Sequence, residues 1–190
     1  MGVNQRVMFI NHDRQKLINA IIYFSTNTQY LHKIKLFKLL YFLDFEHFKQ
    51  TGRSVTGLDY FAWPKGPVPV TLFEEIKESK PDMSICVSFK EAIIKKGKML
   101  EVTPLVDFDS RYFSKRELRI LEDLSKEYFD TLAEDMIEAT HLENQPWHKI
   151  YHEQNQKQVQ IPYELAIRRQ EFAEVHDLAK ERDELIKNFG

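Results

Sequence analysis

The stretch KLFKLLYFLDFEHF, residues 35–48, decides the fold because it is the most aromatic and most broadly apolar part of the chain. Apolar side chains recur at helical spacing from Leu31 to Phe48, and Gly52, a common helix terminator, follows them. The apolar surface is too broad for a single stripe, so neighbouring elements must cover more than one side of it. The sequence therefore predicts a central helix from about Leu31 to Gln50, with the other elements packed around it.

The whole-chain composition is that of a globular protein. Its 190 residues suit a single domain, and 43% hydrophobic with 29% charged residues is an ordinary balance. The net charge of -2 gives no long-range attraction to nucleic acid. The single cysteine cannot form an intramolecular disulfide, and the sequence contains neither a secretory signal nor an apolar run long enough to span a membrane. We therefore expect a cytoplasmic protein.

Local patterns predict an α+β fold that is predominantly helical, with five to seven helices around the central one. A first helix is predicted from Asp13 to Phe24, and Ser114 followed by Glu117 is a capping box that opens a later helix. Further helices are predicted from about Val68 to Pro81, over 130–139 and from Pro146.

Two β-prone regions interrupt the helical pattern. Residues 60–63 are predicted to form a short strand, followed by a rigid turn over 64–69. Alternating apolar residues over 84–89 and 99–102 predict a small antiparallel hairpin. The sequence thus places a small sheet beside the helices.

The last part of the chain is predicted to be an appendage. We expect a domain over residues 1–161 and an amphipathic helix over 162–190 that begins at Pro162. Its apolar positions recur every seven residues, which is typical of a helix that packs on the domain, on a second copy or on a partner. These positions are Leu165, Phe172, Ala179 and Ile186.

Catalytic motifs are sparse. The chain has no phosphate-binding loop, no GxGxxG and no GxSxG, and Cys86 lies in an alternating segment typical of packing. Asp44, Asp107 and Asp109 are carboxylates of the type used in acid catalysis, but we interpret the last two as solvated loop residues.

Three histidines form the one pattern suited to a metal. His148 and His152 lie four residues apart on a predicted helix, His141 precedes them, and Glu143 and Glu153 offer oxygen ligands. The sequence HKIYH lacks the glutamate of an HExxH hydrolase. We therefore favour a structural role and expect no cofactor, and a metal-dependent enzyme remains the alternative.

Basic residues on the central helix raise a second alternative, a regulator that binds nucleic acid. Because Asp44 and Glu46 interrupt the basic row, a solvated helix face is the favoured interpretation. The row consists of Lys33, Lys35, Lys38, Lys49 and Arg53.

Four motifs in fixed order carry more information than any single residue. They are KLFKLLYFLDFEHF (35–48), TGRSVTG (51–57), FAWPKGPVP (61–69) and ATHLENQPW (139–147). Together they resemble the SocA-like, or Panacea, family over about residues 30–161. The positions that carry the resemblance are Leu36, Lys38, Leu39, Tyr41, Trp63, Gly66, Pro67, Val68, Thr140, His141, Pro146 and Trp147. Phe37 and Phe73 depart from the family, which usually has glutamine and often tyrosine there.

The resemblance implies a non-enzymatic protein-binding module, an antitoxin or a prophage-encoded modulator. Its partner would be a cognate protein toxin, neutralised by direct contact or delivered to a protease by the chain acting as an adaptor. Of the motif residues on the central helix, Lys38 and Tyr41 are those we expect at a functional surface. Trp147 is expected to be a core anchor.

Overall fold

The structure, a computed structural model, describes residues 5–94, 97–142 and 145–167, together with scattered positions from 171 to 188. It is an α+β fold with helices predominating, as predicted. The helices are α1 (Gln5–Asn27), α2 (Lys33–Thr51), α3 (Val70–Glu78), α4 (Pro81–Ser84), α5 (Lys115–Glu127), α6 (Ala133–His141) and α7 (Pro146–His148), and the strands are β1 (Tyr60–Trp63), β2 (Gly66–Pro69), β3 (Val87–Ile94) and β4 (Gly97–Pro104).

The predicted central helix is α2. Leu36, Leu39, Leu40 and Leu43 are fully buried in it, and the helix contacts α1, α5, α6, β2 and β4. It ends at Gly52, which has φ 69° and donates its N–H to the Phe48 carbonyl. A left-handed glycine is the usual way to satisfy the last carbonyls of a helix. The breadth of the apolar surface therefore predicted the position of this helix in the fold.

The β1–β2 sheet differs from its prediction in one respect. Residues 66–69, predicted as a rigid turn, form strand β2, which pairs antiparallel with β1 from Tyr60 opposite Pro69 to Trp63 opposite Gly66. Only residues 64–65 form the turn. Prolines are tolerated in β2 because an edge strand does not need every N–H. Residues 158–161 run along the other edge of β1, where the Ile161 N–H donates to the Tyr60 carbonyl at 2.7 Å.

The predicted hairpin is confirmed as β3 and β4, although β3 begins at Val87 rather than at residue 84 and both strands extend beyond their predicted segments. They pair antiparallel from Val87 opposite Pro104 to Ile94 opposite Gly97, and residues 95–96 lie outside the described part. A bridge from His32 to Glu101 joins this hairpin to the start of α2.

The capping box is also confirmed. The Ser114 hydroxyl accepts the Glu117 N–H at 3.3 Å, and the Glu117 carboxylate accepts the Ser114 N–H at 2.6 Å. Pro81, expected only to end α3, also begins the short helix α4, in keeping with the fixed φ of proline at a first helical position.

The prediction at Pro162 is corrected for its first turn. Tyr163–Ala166 form a tight 3-10 turn, and Ile167 is extended, so no α-helix begins there. Tyr163 stacks on Phe45 at 4.5 Å and holds this turn against α2. Described positions from 174 onward are helical, while Phe172, Ala179 and Ile186 lie outside the described residues. Among the helices that are described, none has the length and apolar character needed to cross a membrane.

Candidate functional site

Three distant segments of the chain meet at Lys38, which lies in the middle of α2. Its ammonium group donates to the Pro67 carbonyl at 2.8 Å, and the side chain is only 1% exposed. Burial lowers the pKa of Lys38 to about 7, because a charged amine loses its hydration there. We call Lys38, Gly66, Pro67, Thr140, His141 and Trp147 the motif cluster.

Gly66 allows this close approach. Its φ of +95° is a conformation that side chains with a Cβ rarely adopt. A Cβ at this position would lie 2.6 Å from Lys38 Nζ and 2.7 Å from Thr140 Oγ1. Thr140 is fully buried at the end of α6, where its hydroxyl donates to the Ile137 carbonyl. The glycine therefore lets α2, β2 and α6 pack directly against one another.

Trp147 closes the cluster from α7. The indole is fully buried and donates its N–H to the Trp63 carbonyl at 3.0 Å. Its ring stacks on His141 at 3.8 Å and on Tyr151 at 4.7 Å. Trp63 itself is only half-buried and leans on Phe73, so its backbone rather than its ring supports Trp147.

His141 is held by stacking on Trp147. Its Nε2 is buried and has no hydrogen-bond partner in the described structure. Burial, followed by the charges of Lys38, His152 and His148, lowers the pKa of His141 to about 4. The imidazole is therefore neutral near pH 7.

The three histidines lie near one another in an aromatic arrangement. The rings of His148 and His152 are 5.1 Å apart, and those of His141 and His152 are 6.5 Å apart. His148 Nδ1 lies 3.3 Å from Glu153 Oε1, and Glu143 falls outside the described residues. Within the described ranges, no three histidine, cysteine or carboxylate groups converge as metal ligands would.

The other motif residues on α2 face inward. Tyr41, like Lys38, is only 1% exposed, which corrects the expectation that these two lie at a functional surface. The Tyr41 ring packs on Phe45 at 4.2 Å and on Tyr60 at 5.5 Å. Leu36, Leu39 and Pro146 are buried as well, and Val68 is half-buried. The motif therefore lies mainly in the interior.

Asp44, which the sequence offered only as a candidate carboxylate, is a second buried polar centre. It is fully buried, and its carboxylate accepts hydrogen bonds from the N–H groups of Val55 and Thr56, both at 2.7 Å, and from the hydroxyls of Thr56 and Tyr60. Burial raises the pKa of Asp44 to about 6, and these donors oppose that rise. Asp44 therefore fixes the loop between α2 and β1.

The other two candidate carboxylates do not join Asp44. Asp109 caps a short turn by accepting the Arg111 N–H at 3.0 Å, and its own N–H donates to Asn19 Oδ1. Asp107 is exposed. Cys86 is half-buried against the core, in keeping with the packing role predicted for it.

The basic row is not a solvated face, and this corrects the favoured interpretation. Lys35 is fully buried and donates to the carbonyls of Gln29 and Phe129 at 2.8 and 3.2 Å. Burial lowers the pKa of Lys35 to about 8. Lys33 lies over the Phe73 ring. With Lys35 and Lys38 buried, the row presents no continuous basic surface to a nucleic acid.

Replacing Gly66 with alanine should destabilise the protein by about 2–4 kcal/mol, because the backbone conformation becomes strained and Lys38 and Thr140 must move. The matched control is Gly57→Ala, since Gly57 also has a positive φ, 73°, but is exposed. Chemical denaturation of both variants gives the comparison. Equal losses would show that the close approach at Gly66 carries no cost.

Lys38 should make stability depend on pH. The folded chain releases the Lys38 proton near pH 7, whereas the unfolded chain holds it to about 10.4. The free energy of unfolding should therefore rise with pH above about 7, by roughly 1 kcal/mol per unit, and this added stability should be lost again as the pH falls back to 7. Lys38→Met removes the Lys38 contribution to this slope and nearly preserves volume, while Lys35, whose pKa is also lowered, contributes equally in both proteins. Urea unfolding at pH 7, 8 and 9 tests it, and parallel curves for the two proteins would contradict it.

Comparison with known proteins agrees with the motif order. A model of the family described as antitoxin SocA-like, Panacea domain, matches residues 36–148, which is more than half of the chain. No curated protein and no solved structure gives a match. The matched span begins on α2 and ends on α7, so it contains the whole motif cluster. The chain therefore belongs to the SocA-like antitoxin, or Panacea domain, family.

Proposed function

We propose that this protein is an antitoxin that binds a cognate protein toxin directly and blocks it without chemical turnover. The observation that carries the proposal is the family match over residues 36–148. The placement of the motif supports it, because Lys38, Gly66 and Thr140 lie against one another inside the fold and Trp147 is hydrogen-bonded to the Trp63 carbonyl. Such a frame leaves the outer surface free to differ between members that meet different toxins.

Neutralisation by contact makes modest physical demands. A bound protein that covers the active site of a toxin needs a few well-packed aromatic or apolar anchors and no catalytic group. An adaptor that delivers the toxin to a protease begins from the same complex. The two mechanisms differ in the fate of the toxin, which persists in the first and is degraded in the second.

Co-expression with the product of the neighbouring gene tests the proposal. We expect that product alone to stop growth, this chain to restore it, and the two purified proteins to form a complex of fixed stoichiometry. Immunoblotting of the toxin then separates the mechanisms, because its half-life shortens only if the chain is an adaptor. Failure of the chain both to restore growth and to form the complex would contradict the proposal.

Titration distinguishes binding from catalysis. If the antitoxin acts by occupancy, toxin activity in a purified assay should fall linearly and reach its minimum at the stoichiometry of the complex. The assay uses toxin at a concentration far above the Kd, so that nearly all added antitoxin is bound. Complete protection at a small fraction of that stoichiometry would show turnover and would overturn the non-enzymatic part of the proposal.

A further inference from the structure

Three large apolar side chains lie exposed where two loops of the structure meet. Tyr30 is 54% exposed on the loop between α1 and α2, and Phe129 and Leu132 are 45% and 53% exposed on the loop between α5 and α6. We call these three residues the Tyr30 patch. Isolated apolar residues on a surface are common, but a cluster of this kind is typical of an interaction site.

A buried lysine holds the two loops together. The Gln29 N–H donates to the Phe129 carbonyl at 2.7 Å. Lys35 lies beneath both loops, and its ammonium group donates to the carbonyls of Gln29 and Phe129. The loops are therefore fixed to each other before any partner arrives, which lowers the entropic cost of binding.

The backbone at Tyr30 is strained. Its φ of 53° lies in the left-handed region, which tyrosine rarely adopts. Such a conformation persists only where the surrounding structure enforces it, and it occurs often at functional sites. This conformation leaves the Tyr30 ring exposed to solvent, where the ring adds little to the stability of the fold.

A hollow adjoins the patch. It has a volume of about 510 Å³ and lies between α1 and α5, with Phe129 at its edge. Tyr23 and Asn27 line it from α1, and Glu122, Ser125 and Lys126 line it from α5. An apolar side chain of a partner can enter this space beside Phe129.

The charge around the patch is negative. Asp130 lies between Phe129 and Leu132 in sequence, and Glu134 and Asp135 occupy the first turn of α6 directly after Leu132. All three carboxylates are exposed. The Lys35 ammonium group attracts Asp130, and Lys126 next to the patch is paired with Glu122. An acidic rim around an apolar centre suits a partner with basic residues and an apolar anchor.

We infer that the Tyr30 patch is the surface on which the toxin docks, through a segment of the toxin that places an apolar anchor among lysine or arginine residues. This inference rests on the proposed antitoxin function and adds the location and chemistry of the contact. Tyr30 is the central contact, since exposed tyrosines are frequent hot spots of protein interfaces. The acidic rim directs the approach of the toxin.

Binding measurements with the purified product of the neighbouring gene test the inference. Tyr30→Asn keeps a residue that tolerates the left-handed backbone, and Phe129→Ser with Leu132→Ser removes the remaining anchors. We expect each of these two proteins to bind roughly thirtyfold more weakly or worse. The matched control is Ile85→Ser with Leu105→Ser, since these residues are 70% and 54% exposed elsewhere on the surface. The control should bind like the wild type.

The rim has its own test. Replacing Asp130, Glu134 and Asp135 with asparagine, glutamine and asparagine should slow association with the toxin about tenfold at low salt. It should also remove most of the salt dependence of the association rate. Circular dichroism and melting curves check that each variant is folded. If Tyr30→Asn does not fold, the double variant Phe129→Ser with Leu132→Ser still tests the inference.

Each remaining outcome overturns a distinct statement. A complex that tolerates the patch variants would overturn the inference and leave the antitoxin function standing. A wild-type chain that forms no complex would overturn both. Sedimentation of the chain alone covers the case of a second copy as occupant: a dimer that the patch variants dissociate, with toxin binding unchanged, would also overturn the inference.

Discussion

Replacing Trp147 with alanine should lower the free energy of unfolding by about 3–5 kcal/mol. The indole is fully buried, so its removal leaves a cavity where three elements meet. The change also removes the stacking on His141 and Tyr151 and leaves the Trp63 carbonyl without its donor. Urea unfolding of the purified variant at pH 7 measures the loss.

Two variants separate the contributions to this loss. Trp147→Phe keeps an aromatic ring but not the indole N–H, so it should cost about 1–2 kcal/mol through the lost hydrogen bond to the Trp63 carbonyl. Trp63→Ala should cost less than Trp147→Ala, because the Trp63 ring is only half-buried. A loss below about 1 kcal/mol for Trp147→Ala would show that the ring adds little to the fold.

The Trp147 result also bears on function. Domains of this size have a free energy of unfolding of about 5–15 kcal/mol. A loss of about 3–5 kcal/mol therefore leaves a substantial fraction of the molecules unfolded if the protein is marginally stable. Toxin neutralisation in cells should then fall with the amount of folded chain, while the affinity of the folded fraction stays unchanged. Variants of the Tyr30 patch should show the opposite behaviour, with normal stability and weakened binding.

Features set by neighbouring residues could be predicted from the sequence. The capping box at Ser114 requires only residues three apart, and Gly52 ends α2 through its own backbone freedom. The hairpin likewise follows from alternation on both sides of a short turn. The helix predicted to begin at Pro162 does not form there, because the chain makes a 3-10 turn in which Tyr163 stacks on Phe45 of α2.

The buried polar residues could not be predicted, because their partners are distant in sequence. Lys35 is buried through the Phe129 carbonyl, and Lys38 through the Pro67 carbonyl. Helical spacing placed both lysines on α2 but carried no information about carbonyl groups supplied by other segments. The family motif did identify Lys38, Gly66 and Trp147 together. In the structure Gly66 lies against Lys38, and Trp147 stacks on the motif residue His141.

Replacing Asp44 with alanine should cost about 3–5 kcal/mol, the second of the two largest effects that we expect. Four donors converge on this fully buried carboxylate. The hydroxyls of Thr56 and Tyr60 can rotate toward other acceptors, but the N–H groups of Val55 and Thr56 cannot. Most of the cost therefore comes from two backbone amides left without acceptors inside the protein.

Asparagine at position 44 gives the matched comparison, because it keeps one carbonyl oxygen for the two backbone amides. The asparagine NH₂ would face the hydroxyls of Thr56 and Tyr60, which can turn to accept from it. We therefore expect Asp44→Asn to cost about 1–2 kcal/mol. The loop between α2 and β1 leads to Trp63, whose carbonyl accepts the indole N–H of Trp147. Equal losses for alanine and asparagine would show that the negative charge of Asp44, rather than its acceptor geometry, stabilises this loop.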